Sequence, residues 1–525
     1  MHDKKIHSSS VAKFLALFAA LCAMASIDAA QYTVANLKDS GPGSLRDAMI
    51  NSQSGDHIIF TPTLSGVISL QSPLPWINGD LLIQGPTLGT VSIDGMNSFQ
   101  IFFANQGQVS INSLTLTRGI SQGGTGGMSA NGCGGGALGA GGALFVNANA
   151  HVNLQNIAVT HCQAMGGHGG SFTSLYIAGT GGAGGGGYNG GLGGNGGPNF
   201  GVGGGGGGGG GFASNAGDGM DGGGGGGGLT AVIKHNVIVG NAQSAAGTQG
   251  GDGGRGFSGL PANGGNNGSP GQSGNAQHGG GGAGGGGVTL ASMNGGNGGH
   301  GGIVGGGGGG GGGSKGGVGG SGVDFGGGAG AGGCAISKTA GRGGFGGFAG
   351  GGGGGGGGAL QQAGGHGGPG GFGGGGGGGG LNNQGGSGGS GLGGNGGNNC
   401  GGGGGGAALG GGIFVRSNGT LTMMGVTFSG NSAVAGQGGL ETHPGMNGKA
   451  KGNDVYVMNS ATVIVSNMAN AKAAPFALSG QGTVVLDSEE DMHHHKALRT
   501  ASSEDSEGDD LKFVSKAEWE SSQNK

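Results

Sequence analysis

Aromatic residues make up only 5% of the 525 positions, charged residues 8%, and proline occurs 11 times. So few aromatics and charges exclude a chain built throughout from ordinary globular domains. The net charge of -4 comes with no basic stripe, which argues against nucleic acid as a partner. After the first thirty residues no apolar run is long enough to span a membrane as a helix, so no membrane-spanning segment is expected in the mature chain. Nowhere does a ten-residue amphipathic helical pattern follow a strand-like run, which removes the crossover helix of an α/β unit. What the chain has instead is glycine, 162 residues of it, concentrated between Gly166 and Gly406.

Outside that region a repeat emerges. "GGIFVRSNGTLTMMGVTFSGN", from Gly411, falls on "GGALFVNANAHVNLQNIAVTHC" after a shift of 269 positions. Ile413, Phe414 and Val415 then match Leu144, Phe145 and Val146. A further shift of 43 reaches "IFFANQGQVSINSLTLTRG", where Ile101, Phe102 and Phe103 fill the first block and Val109 and Ile111 the second. Going forward by 42, "VYVMNSATVIV" supplies Val455, Tyr456, Val457, Val463 and Val465. Each copy holds short runs with apolar residues at every second position, separated by turn formers such as "NQG", "NAN" and "SNG". Short strands at a fixed period define a parallel β-helix in which each copy is one coil and stacking creates the shared core. The fold class expected is therefore all-β, a parallel β-helix interrupted by one large glycine-rich insert, with a right-handed coil only as the resemblance given below implies. Ahead of the coils, "DSGPGSLRDAMINSQ" reads as a capping helix with Ser44 as N-cap and Asp47 in its first turn.

The boundaries follow. Residues 1–30, with Lys4, Lys5 and Lys13 ahead of "FLALFAALCAMA", read as a cleaved secretory signal peptide. Residues 31–162 hold the cap and first coils, 163–407 the insert, 408–487 the later coils, and 488–525 an acidic tail expected to be disordered. Isolated strand-like islands near 229–241 and 286–292 are expected to be extra coils or hairpins. In the insert, glycine pairs alternate with a third residue, as in "GGLGGNGGP" and "GGNGGHGGI". One reading is an ordered, polyglycine II-like packing of threefold helices with bare glycine edges. The other is a flexible glycine linker, favoured by the ordering cost of glycine. Apolar third positions such as Leu192, Ile303, Val318, Phe345, Phe348 and Leu392 speak for the first. Four cysteines remain after the leader; Cys162 and Cys400 flank the insert, so they form a disulfide on one reading and stay buried thiols on the other.

Several short motifs carry a resemblance. "GGAL" at Gly141, Gly142, Ala143 and Leu144, "GGI" at Gly411, Gly412 and Ile413, "FSGN" from Phe428 to Asn431 and "IVGN" from Ile238 to Asn241 resemble the two short repeats of chlamydial polymorphic outer-membrane proteins. Those are autotransporter-like adhesins with a right-handed β-helix passenger. "TVANLKDSGPGSLRDAM" is similar to the entry of secreted β-helix proteins of the pectin-lyase-like superfamily, and the glycine triplets to polymorphic glycine-rich regions of mycobacterial surface proteins. The resemblance implies a secreted or cell-surface bacterial protein that binds a host-cell or matrix glycan or protein. A self-associating coat protein is the alternative, with contact through the insert. The tail has no alternating barrel strands, so anchoring in an outer membrane is not expected.

Many β-helices cleave polysaccharides, and the residues for that chemistry are sparse. Asp80 and Asp94 are the strand-borne carboxylates, and Arg118 lacks an acidic cluster around it. Gly-His-Gly occurs at His168, His300 and His366 without the partner motifs of a polygalacturonase-like site. "GGSGVD" and "GDGMD" match isolated fragments of a calcium repeat, and His493, His494 and His495 sit in a polar tail. No catalytic residue, cofactor or metal ligand is expected.

Overall fold

The computed structural model describes residues 29–171, 180–198, 203–227, 231–233, 236–238, 241–246, 249–253, 263–266, 269–274, 281–288, 293–334, 339–359, 362–440, 442–466, 476–487 and 510–523. Residues 1–30, read from the sequence as a signal peptide, fall almost wholly outside this set, as do His493, His494 and His495. The architecture is mostly sheet, with parallel strands in curled sheets and few helices. The largest sheet has 14 strands.

The repeat is visible as pairing. Leu144, Phe145 and Val146 lie in parallel register against Ile413, Phe414 and Val415, which in turn lie against Val455, Tyr456 and Val457. The second block behaves alike: Val152 pairs with Leu421, and Leu421 with Val463. Alternate residues point inward, so Ala150, Val152 and Leu154 are buried while His151 and Asn153 are exposed. The inward residues form one continuous apolar core that runs from Val34 to Leu486 and takes in Leu45, Ala48 and Met49 of the helix Leu45–Asn51. Ser44 caps that helix, its Oγ accepting from the Asp47 N–H at 3.1 Å.

One expected register is off by a residue. Leu144, Phe145 and Val146 pair with Phe102, Phe103 and Ala104, not with Ile101, Phe102 and Phe103. The second block keeps its register, with Val152 against Val109. The turn between the blocks is one residue shorter in the first coil, where a single strand, Phe102–Asn112, bends through Gly107 (φ +98°). A one-residue slip exchanges the two faces of a strand. Phe102 therefore lies in the coil core and Phe103 points out of it.

The C-terminal tail is corrected over residues 510–523. Lys512–Ser515 adds a parallel strand to Thr483–Leu486, with Leu511 and Phe513 packed on the core, and the helix Lys516–Gln523 follows. The apolar Leu511 and Phe513 that close the core overrode the polar composition around them. The island near 229–241 is an antiparallel hairpin, Ala231–Ile233 against Asn236–Ile238. Of 286–292, residues 289–292 lie outside the described set and 286–288 continue a glycine segment.

Cys162 and Cys400 are not joined. Cys162 Sγ sits in the coil core, accepting from the Gly119 N–H at 3.3 Å, whereas Cys400 Sγ lies 3.6 Å from Asn131 Oδ1 in the glycine region. Burial pushes the Cys162 thiol up to about 12. Iodoacetamide at about pH 8 should thus leave Cys162 unmodified in the native chain and alkylate it after denaturation, as read by mass spectrometry.

The glycine region is a hydrogen-bonded array. Within residues 181–188 the amide donors of Gly181, Gly184 and Gly187 go to Gly197, Gly194 and Gly191. Those of Gly182, Gly185 and Tyr188 go to Ala331, Gly328 and Phe325, and those of Ala183 and Gly186 to Gly132 and Gly135. The carbonyls follow the same period. Gly182 and Gly185 accept from Gly207 and Gly210, Ala183 and Gly186 from Gly354 and Gly351, Gly184 and Gly187 from Gly127 and Gly124. Partners that recur every third residue mean a threefold extended helix, here with six neighbours. Such neighbours meet backbone to backbone, which only glycine permits: a Cβ on Gly353 would fall on the Ala329 carbonyl. The array also extends beyond the insert, recruiting Gly123–Met128 and Gly132–Leu138 before it and Gly436–Gly448 after it.

Candidate functional site

Two kinds of glycine helix alternate along the chain. Nearly pure glycine runs (180–188, 203–212, 304–313, 325–334, 349–359) form two inner layers, bonded to each other by pairs such as Gly206 N–H to the Gly310 carbonyl at 2.7 Å. Triplet runs form the outer layers. Residues 191–198 and 214–221 cover one side, and residues 293–303, 315–324 and 339–348 the other.

Among the described residues an outer helix has no glycine helix on its solvent side, and every third N–H there turns away from the backbone acceptors of the array. The side chain at the third position of the next helix supplies the acceptor. On the first face, Asn195 Oδ1 accepts from Met128 N–H at 2.9 Å, Asn215 Oδ1 from Leu192 N–H at 3.1 Å and Asp218 Oδ1 from Asn195 N–H at 2.7 Å. On the second face, Asn297 Oδ1 accepts from Val318 N–H at 2.9 Å and His300 Nδ1 from Ser321 N–H at 3.0 Å. This requirement explains the Asn, Asp, Ser and His among the third residues. Between these polar side chains stand exposed apolar ones: Leu192 (45%) and Met128 (44%) on the first face, Val318 (42%) and Phe345 (51%) on the second. Both faces are thus grids of side chains on a rigid backbone lattice.

An aromatic seam fixes the array to the coils. Trp76, Phe103, Phe145, Phe414 and Tyr456 project outward from successive coils and stack, with centroid distances of 4.6, 4.8, 4.9 and 5.8 Å. Tyr188, Phe212, Phe325, Phe348 and Phe372, at the ends of glycine helices, pack against this column. Tyr188 is also pinned by polar bonds: its hydroxyl donates to the Ala140 carbonyl at 2.6 Å and accepts from Gln100 Nε2 at 3.1 Å. Burial pushes its phenol well above the usual range. Arg416 clamps the seam from the coil side. It binds Asp324 at 2.7 Å, donates to Asn147 Oδ1 at 2.9 Å and lies 3.9 Å above the Phe348 ring.

The residues carrying the motif resemblance are engaged in structure, Gly141–Leu144, Gly411–Ile413, Phe428 and Asn431 in the interior and Asn241 at the surface. Gly141 takes φ +63°, as do Gly410 (+60°) and Gly452 (+64°) at the same turn of later coils. The Gly142 and Ala143 N–H groups donate to the Gly411 and Gly412 carbonyls of the next coil, and Leu144 lies in register with Ile413. Phe428 lies in the core, its ring 5.0 Å from Phe476. Asn431 accepts from the Cys162 N–H at 2.8 Å and donates to the Val159 carbonyl and to Asp454 Oδ1. Asn241 accepts from the Asn215 N–H on the first face, and Ile238 belongs to the hairpin. These residues define coil turns and array edges. They do not converge on a site.

The residues weighed for chemistry are likewise engaged in structure. Asp94 is buried and paired with Arg118. Asp80 accepts from the Gln108 N–H at 2.7 Å, and His168 Nδ1 from the Gln437 N–H at 3.0 Å. His366 is exposed on the second face. Among the described residues no group of three His, Cys, Asp or Glu side chains could hold a metal, and no helix is long and apolar enough to cross a membrane. The seam was missed in the sequence, although several all-glycine runs are bounded by an aromatic residue: "GGGGY", "GGGGGGF", "DFGGG".

No family model, curated protein or solved structure matches the chain.

Proposed function

We propose that the chain is an exported, non-enzymatic right-handed parallel β-helix of pectin-lyase-like type that displays a polyglycine II-like module for adhesin-like binding to a host or matrix surface. The observation that carries this reading is the pair of outer grids, where apolar side chains are held exposed on a lattice of backbone hydrogen bonds. Exposed apolar groups on a rigid, pre-ordered surface bind without an ordering cost at the moment of contact. The coil stack serves as the stalk and supplies the aromatic column that orients the module. Asp94, Asp80 and His168, weighed for an enzymatic reading, are held in ion-pair and backbone contacts, which favours binding over cleavage.

The test substitutes exposed side chains. Val318→Ser with Phe345→Ser alters the second face, and Met128→Ser with Leu192→Ser the first. Each pair should leave the melting temperature within a few degrees of the parent, since surface changes are usually within about 0.5 kcal/mol. At least one pair should lower binding to host-type cells or immobilised glycans by about tenfold or more. Undiminished binding by both pairs would move the site to the coils.

A further inference from the structure

We infer that the two outer faces of the array are complementary to each other, so that the first face of one molecule docks on the second face of another copy of this chain.

The first argument is period. Outward side chains on both faces recur every three residues along threefold helices, a spacing of roughly 9 Å at about 3.1 Å per residue. Neighbouring helices on both faces are joined by the same backbone bonds. Two grids with equal spacing can interdigitate over their whole area, side chains of one entering the gaps of the other. The partner whose surface carries this same lattice is a second copy.

The second argument is charge. Segments 191–198 and 214–221 of the first face contain Asp218, exposed, and Asp221, half-buried, but no Lys or Arg. Segments 315–324 and 339–348 of the second face expose Lys315 and Arg342. Their one acidic residue, Asp324, is held by Arg416. Pairing unlike faces sets carboxylates against cations, with the apolar groups of each face available between them. Pairing like faces would set Asp on Asp or Arg on Lys. The contact is therefore heterologous and propagates along a stack unless its rotation closes a ring.

This inference rests on the reading of the insert as an ordered, outward-facing module, and not on host binding. The experiment uses the full mature chain in sedimentation velocity across protein and salt concentrations. Average mass should rise with protein concentration and fall as salt is added. Lys315→Glu with Arg342→Glu, and separately Asp218→Lys with Asp221→Lys, should each weaken assembly by about tenfold or more. Each variant alone then presents two faces of one sign. Mixed in equal amounts they should assemble again, because every contact in an alternating stack regains opposite charges. A chain that stays monomeric throughout, assembly indifferent to salt, or a mixture that fails to recover would overturn the inference. Cell binding measured on the same variants separates the two ideas: assembly lost with binding kept leaves the adhesive reading intact, and the reverse leaves the stacking intact.

Discussion

Gly353→Val should abolish the order of the glycine array while the coils stay folded. Gly353 lies in an inner helix, donating to the Gly344 carbonyl at 3.0 Å and accepting from the Gly368 N–H at 2.7 Å. Its third side faces Ala329, whose carbonyl occupies the place a Cβ would take. Backbone cannot step aside as a flexible side chain can. The helix must separate from its neighbours, and the buried amides on both sides lose their partners. Overpacking costs about 1–3 kcal/mol and each buried amide left without a bond about 1–3 kcal/mol more, so a loss of roughly 3 kcal/mol or greater is expected. Amide hydrogen exchange over 325–334, 339–359 and 362–372 should collapse to unprotected rates, with the strands Ala150–Gln155 and Thr420–Met424 keeping their protection. Val318→Ala, at an exposed third position, is the control and should change stability by less than about 0.5 kcal/mol. Unprotected amides across the insert of the unmodified protein would instead support the flexible-linker reading.

How much of this was legible in the residues differs by region, for physical reasons. The coils were, because period-two alternation and recurring turns are local signals that stacking only amplifies. The slip at Phe102 was not: Ile101, Phe102 and Phe103 are all apolar, and only the shorter turn around Gly107 decides which of them faces inward. In the array the period of three is written in "GGLGGN" and "GGNGGH", but order depends on six neighbours drawn from distant segments, such as Gly186 and Gly351, 165 positions apart. Asn431 stood out as a motif residue, yet its role, bridging Cys162 and Asp454, appears only when three coils are stacked.

Phe145→Ala should uncouple the array from the coil stack. Phe145 sits mid-column, stacked between Phe103 and Phe414, with Tyr188 and Phe325 of the array at 5.5 and 5.6 Å. It is fully buried, and glycine helices have no side chains that could collapse into the space left behind. Truncating a buried phenylalanine costs about 3–5 kcal/mol, and here the loss falls on the interface, because the inward neighbours Leu144 and Val146 keep their own core contacts. Calorimetry should resolve two transitions in place of one, the lower belonging to the array, and protease should cut the insert first. Phe145→Leu, which refills much of the volume without the stacking geometry, should give an intermediate shift. A single transition at the parent temperature in Phe145→Ala would mean that backbone bonds between coils and array, such as Gly123 N–H to the Met165 carbonyl and Gly139 N–H to the Ala407 carbonyl, hold the two parts together rather than the aromatic column. The seam rather than the array would then be dispensable, and array order would be a property of glycine packing alone.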